Sequence, residues 1–139
     1  MLVLSENWVR LLTAMISSDG TIYEVELESL EGILEEYTSF PSSILTEILS
    51  EMPLQGEQLD GLILDLTSEI PPKEVLFRIG LLYKIAVVEG PLVPEESDIL
   101  VRTITSLLGE EGVEVTLSWL EQQRLADVQL QALLEQYTS

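Results

Sequence analysis

The sequence contains neither cysteine nor histidine among its 139 residues. These absences exclude disulfides, thiolate nucleophiles and structural zinc sites, and they remove the commonest general base of enzymes. Basic residues are also scarce, because 6 Lys and Arg stand against 25 Asp and Glu, for a net charge of −19. Such a surface repels phosphate backbones and anionic membranes, so neither a nucleic acid nor a membrane is an expected partner. We expect a protein that is not an enzyme.

Long apolar runs are absent as well. The longest apolar stretch lies within residues 75–88 and is interrupted by Arg78 and Lys84, so it is too short and too charged to span a bilayer. The first residues lack the basic segment and apolar run of a signal peptide. We therefore expect a cytoplasmic protein, with residues 1–139 forming a single domain large enough to bury a core.

Apolar residues, rich in Leu and Ile, recur at helical spacing in one segment after another, and prolines stand at the starts of several segments. This pattern predicts an all-α bundle of about seven helices. The expected helices cover about 5–18, 24–37, 41–52, 57–68, 71–88, 94–108 and most of the residues after a loop at 110–112. In the last segment the apolar stripe loses its phase between Arg124 and Asp127, which predicts a kink or a short turn there.

One phrase occurs twice in the chain, 70 residues apart. An apolar helix is followed by an acidic residue, a glycine and then a glutamate in the first turn of the next helix. The matching residues are Leu11-Leu12 and Leu81-Leu82, Asp19-Gly20 and Glu89-Gly90, Glu26 and Glu96, Leu30 and Leu100. The match predicts a repeated helix-turn-helix unit, in which residues 8–34 and 78–104 superpose about a pseudo-twofold axis.

The turn at Asp19-Gly20, followed by Glu26, matches only the second half of an EF-hand calcium loop. An EF-hand also needs oxygen ligands in the first half of the loop. The leading position holds Met15, and an apolar side chain cannot coordinate a hard cation. A true EF-hand is therefore rejected.

The repeated phrase resembles the TerB (tellurite-resistance) family, in which a helix ends in an Ala-x-x-Asp-Gly phrase and the unit is duplicated. The residues that carry the resemblance are Ala14, Asp19, Gly20 and Glu26, with Ala86, Glu89, Gly90 and Glu96. The resemblance implies a bundle of about seven helices and a role in metal-stress or envelope-linked complexes. It also implies a divalent-cation site, for Ca²⁺ or Mg²⁺, at Asp19, Glu26, Glu89 and Glu96.

Other interpretations of the acidic turns stay open. The two glycines can simply end helices, and the four carboxylates can satisfy backbone donors and favour helix N-termini. The main functional alternative is a purely protein-binding acidic scaffold that meets a partner with a basic surface. A further alternative is an acidic mimic of nucleic acid. A cation site needs carboxylates that converge on one point, whereas a mimic needs them spaced along a ridge.

Overall fold

The computed structural model describes residues 3–41, 43–88 and 90–138. Within these ranges the chain forms seven α-helices and one 3-10 turn, with no strand. The elements in chain order are α1 (Glu6–Ser17), α2 (Glu24–Tyr37), α3 (Ser43–Leu49), α4 (Glu57–Glu69), the 3-10 turn (Pro72–Glu74), α5 (Val75–Ala86), α6 (Pro94–Leu108) and α7 (Glu111–Thr138). The predicted all-α bundle is confirmed.

The predicted loop at 110–112 is confirmed only at Glu110, because α7 begins at Glu111. The predicted break near residues 124–127 is wrong, because α7 is one continuous helix. Gly112 lies inside its first turn. A Cβ atom added at Gly112 would lie 2.9 Å from the Cβ of Leu108, closer than side chains tolerate. Gly112 is therefore needed for the tight packing of the start of α7 against the end of α6, and it does not mark a loop.

Helix α5 lies at the centre of the bundle, in contact with α1, α2 and α6. Leu82 and Ile85 are fully buried, as the sequence predicts. Lys84 points outward, together with Leu76 and Phe77. The apolar character of most of this helix is thus explained by neighbours on several sides.

The two helix pairs, α1–α2 and α5–α6, have turns with the same hydrogen-bond register. The Gly20 N–H donates to the carbonyl of Ser17 over 3.1 Å, and the Gly90 N–H donates to the carbonyl of Val87 over 3.2 Å. Both the donors and the acceptors are 70 residues apart. This backbone hydrogen bond therefore repeats together with the sequence phrase, whereas the glycine φ angle does not, at 85° for Gly20 and 157° for Gly90.

Helix α7 is docked over only part of its length. Thr116 and Leu120 are buried where the helix packs on α6, and the Tyr83 hydroxyl donates to Glu121 over 2.6 Å. Every side chain from residue 125 to residue 137 is exposed. In the described part of the chain, no helix is both long enough and apolar enough to cross a membrane.

Candidate functional site

Glu26 and Glu96 occupy the same position in the first turns of α2 and α6. The Tyr23 N–H donates to the Glu26 carboxylate over 3.0 Å, and the Val93 N–H donates to the Glu96 carboxylate over 3.1 Å. Only the glutamate half of a capping box is formed, because valine has no side-chain acceptor and Tyr23 makes no side-chain cap bond. The expected role of both glutamates at helix N-termini is confirmed.

Both capping glutamates are also buried, which the sequence did not predict. Glu26 is 4% exposed and Glu96 is 6% exposed. Carboxylates are rarely buried to this degree without partners. Burial beside a backbone donor gives these two residues a structural task, but it leaves a charge in a poorly solvated place.

Asp19 is exposed and closes its own turn. Its carboxylate accepts a hydrogen bond from the Thr21 N–H over 3.0 Å, which forms an Asx turn. The second unit has Pro91 in place of Thr21, and proline has no N–H to donate. Glu89, the counterpart of Asp19, lies outside the described residues.

The pKa of Glu96 reflects negative charges from both acidic turns. The pKa of Glu96 is raised from its ordinary 4.5 to about 7. Burial is the largest cause, the Val93 N–H opposes it, and the negative charges of Glu26, Asp19 and Glu95 add to the rise. Because Glu26 and Asp19 belong to the first unit, their influence means that the two turns lie close to each other. The fold thus gathers carboxylates from both halves of the repeat.

The carboxylates of the two turns do not form a metal-binding site among the described residues. In the ranges 3–41, 43–88 and 90–138, no three carboxylates are close enough together to hold a metal ion. Asp19, Glu26 and Glu96 therefore do not form a cation site by themselves. The set of four that the family resemblance implies includes Glu89, so the site stays a prediction.

A second acidic feature is the outer face of α2. Glu24, Glu28, Glu31 and Glu35 are all exposed on it, and α2 contains no basic residue. None of these four glutamates forms an ion pair with a basic residue in the described part of the chain. The ion pairs are Arg10 with Glu6 and Glu51, Arg78 with Glu74, Arg102 with Asp60 and Asp98, and Arg124 with Glu121.

The sequence reasoning missed a buried polar contact between the two units. Arg78 is buried, its guanidinium carbon lies 5.7 Å from the ring centroid of Trp8, and it pairs with Glu74 over 2.9 Å. Trp8 and Arg78 are also 70 residues apart, so the same offset that revealed the repeat could have revealed this contact. A contact between equivalent residues is what a pseudo-twofold axis between the two units would produce, and the superposition of the units stays a prediction.

The described residues thus offer chemistry for binding positive charge, through exposed glutamates on α2 and through carboxylates gathered at the two turns. The chain contains no histidine and no cysteine, so imidazole bases and thiolate nucleophiles are missing from it. Comparisons with protein-family models, with curated proteins and with solved structures found no match for this chain.

Proposed function

We propose that this chain is a non-enzymatic, TerB-like protein-binding module whose acidic α2 face meets a partner protein with a basic surface. The observation that carries the proposal is the row of four exposed glutamates on α2 without ion-pair partners among the described basic residues. By its family resemblance, the module works in a metal-stress or envelope-linked complex. Neither a nucleic acid nor a membrane is its partner, because both would be repelled.

The spacing of the glutamates explains why a basic partner is favoured. Glu24, Glu28, Glu31 and Glu35 follow one another at steps of three or four residues, so each carboxylate neighbours the next on the helix surface. Like charges at this spacing each cost a few tenths of a kcal/mol. Lysines or arginines on a partner would replace this repulsion with attraction, and the field of the acidic protein would speed their encounter.

The test is capture of partners from a lysate by the immobilised protein, with the bound proteins then measured for affinity at several salt concentrations. Glu28→Gln/Glu31→Gln/Glu35→Gln should weaken binding and reduce its salt dependence, because a basic partner loses the charges it contacts. The matched control is Glu47→Gln/Glu110→Gln/Glu114→Gln, which changes the net charge equally at exposed glutamates away from α2. Equal weakening by both triple variants would contradict the proposal.

A divalent cation at the acidic turns is the second candidate. It is supported by the raised pKa of Glu96, which reflects burial and the nearby charges of Glu26 and Asp19. A cation held among these carboxylates would relieve their repulsion. The site would take Asp19, Glu26, Glu89 and Glu96 as ligands for Ca²⁺ or Mg²⁺, hard cations that prefer carboxylate oxygens.

Melting temperature against Ca²⁺ or Mg²⁺ concentration, at fixed ionic strength, tests this second candidate. A cation that binds only the folded state raises the melting temperature by linkage, and Asp19→Asn/Glu89→Gln should abolish the rise. The control Glu47→Gln/Glu110→Gln removes the same charge elsewhere and should keep it. If all three proteins respond equally, the acidic turns are only turns. Repeating the lysate capture with a chelator shows whether partner binding depends on the ion.

A further inference from the structure

The distal part of α7 carries an apolar stripe that the bundle does not cover. We use "distal stripe" for Trp119, Ala126, Leu130, Leu133 and Tyr137. All five side chains are exposed, Tyr137 to 78%. Exposed apolar residues that occur singly are ordinary, but a contiguous row of them marks an interaction surface.

The residues around Leu130 can be compared with those on the opposite side of the same helix, around Val128. Leu130 and Val128 are almost equally exposed, at 55% and 54%. One turn and two turns from Leu130 lie Ala126, Leu133 and Tyr137. Around Val128, the corresponding positions hold four polar residues and two apolar ones: Glu121, Arg124, Leu125, Gln131, Ala132 and Glu135. The side that carries Leu130 is therefore the more apolar side of the distal helix.

The last turns of α7 also extend away from the bundle core, with exposed side chains. With every side chain from residue 125 to residue 137 exposed, these last turns extend about 20 Å at 1.5 Å per residue. Isolated helices shorter than roughly 12–15 residues are marginal in water. The distal stripe would stabilise this segment once something packs on it.

The spacing of the distal stripe is that of a coiled coil. Positions 119, 123, 126, 130, 133 and 137 alternate steps of four and three residues, with Gln123 as the one polar member. Such spacing aligns side chains along the seam between two paired helices. This spacing suits a helix as the occupant of the stripe.

We propose that this helix is α7 of a second copy of the chain, packed antiparallel on the first. The polar edge beside the stripe supports a self-partner, because Gln122, Gln129 and Gln136 stand seven residues apart. In an antiparallel pair, Gln129 faces Gln129 of the second copy, and Gln122 faces Gln136. An amide both donates and accepts hydrogen bonds, so this edge is complementary to itself.

The available area suits a dimer of modest strength. The exposed fractions of the stripe correspond to roughly 600 Å² per chain, so that two copies clear the ~1,000 Å² expected of a biological interface. One feature opposes the pairing, because Asp127 would lie near Asp127 of the second copy. Asp127→Asn should therefore tighten the dimer.

Charge decides the direction of the helices. Each chain carries a net charge of −19, so two bundles side by side repel each other. Parallel α7 helices would place the bundles at the same end, whereas antiparallel helices place them at opposite ends. Charges separated by more than ~8 Å are largely screened at physiological ionic strength, which favours the antiparallel form.

The antiparallel register also fills a groove on the first copy. With Leu130 opposite Ala126 of the second copy, Tyr137 lies opposite Trp119. Trp119 borders a surface groove lined by Glu114, Val115, Ser118 and Gln122. The ring of Tyr137 from the second copy would occupy this groove and stack near the indole.

Molar mass in solution tests the proposal, by light scattering or sedimentation over a wide concentration range. Wild type should reach twice the mass of one chain. Leu130→Glu should remain a monomer at concentrations where wild type is dimeric, and Val128→Glu, with the same charge change and nearly the same exposure, should still dimerise. Circular dichroism confirms that both variants keep the helical bundle. A wild type that stays monomeric throughout, or two variants that dimerise equally, would overturn the proposal.

Disulfide trapping tests the direction, and the absence of native cysteines makes the experiment clean. Ala126→Cys and Leu130→Cys are prepared separately, mixed and oxidised. The antiparallel register brings these two positions together, so the mixed disulfide should predominate. A product dominated by Leu130→Cys linked to itself would mean a parallel pair and would overturn the antiparallel assignment.

Discussion

The two helix-turn-helix units share a backbone design and differ in the side chains that meet between them. Each unit places a glutamate at the same position of its second helix, where it accepts a hydrogen bond from the backbone N–H three residues earlier. Where the two units meet, however, the first unit contributes Trp8 and the second contributes Arg78. The backbone hydrogen bonds at the turns are thus repeated, whereas the contact between the units is not symmetric.

The contact between Trp8 and Arg78 shows why the two units need different residues where they meet. A symmetric pair of identical units would place two tryptophans or two arginines at the axis. Two buried arginines would repel each other, and two indoles would lack the cation that now lies over the ring. The pairing of Trp8 with Arg78, and of Arg78 with Glu74, is available because the sequences of the two units differ at these positions.

The strongest test of the equivalence is a pair of core truncations. Leu12 and Leu82 are 70 residues apart and both fully buried, so Leu12→Ala and Leu82→Ala should each cost about 2–5 kcal/mol of unfolding free energy. Urea denaturation gives the values, with Leu64→Ala as the exposed control. An unchanged midpoint for Leu82→Ala would mean that α5 is not central, and a large difference between the two would break the equivalence.

A smaller effect should come from the titration of Glu96. Because the pKa of Glu96 is raised to about 7 in the folded protein, its protonated form favours folding. This stability is fully present below pH 4.5 and is lost as the pH rises through about 7, with a size of roughly 1–2 kcal/mol after screening. Glu96→Gln should flatten this part of the curve of stability against pH.

The influence of one unit on the other appears in the same titration. Glu26→Gln removes a charge that raises the pKa of Glu96, so the pKa of Glu96 should fall when followed by carboxyl NMR. An unchanged pKa of Glu96 would mean that the charge of Glu26 does not influence the second turn.

The smallest expected change in stability comes from substitutions in the two turns themselves. Asp19 stabilises the first turn by accepting the Thr21 N–H, whereas Pro91 limits the freedom of the second turn through its ring. Asp19→Ala and Pro91→Ala should each cost roughly 0.5–1 kcal/mol, the first through a lost hydrogen bond and the second through unfolded-state entropy. Asp19→Asn keeps the acceptor and should cost less than Asp19→Ala.

The sequence was most informative where local chemistry decides the structure. The bounds of α2 and α6 agree with prediction, since an acidic turn, a glycine and a proline or glutamate mark those helix ends locally. The start of α7 was missed because glycine is usually a loop residue. Gly112 lies inside the helix instead, where the absence of a side chain allows close contact with Leu108. That contact belongs to tertiary packing, which no local pattern contains.

The candidate site follows the same division. The positions of Glu26 and Glu96 in first turns were predictable, because helix N-termini favour carboxylates. Their burial, and the electrostatic influence of Glu26 on Glu96, arise only when the two units pack together. The apparent loss of phase in α7 has a related cause, because its first turns pack on α6, whereas the side chains of residues 125–137 are exposed.

The contrast between the two tryptophans makes the protein its own optical reporter. Trp8 is fully buried beneath Arg78, whereas Trp119 is 38% exposed at the start of the distal stripe, and the chain contains no other tryptophan. With Trp119→Phe, the remaining emission follows unfolding of the core. With Trp8→Phe, it reports on α7, where iodide quenching and the emission maximum both respond to whatever covers the indole.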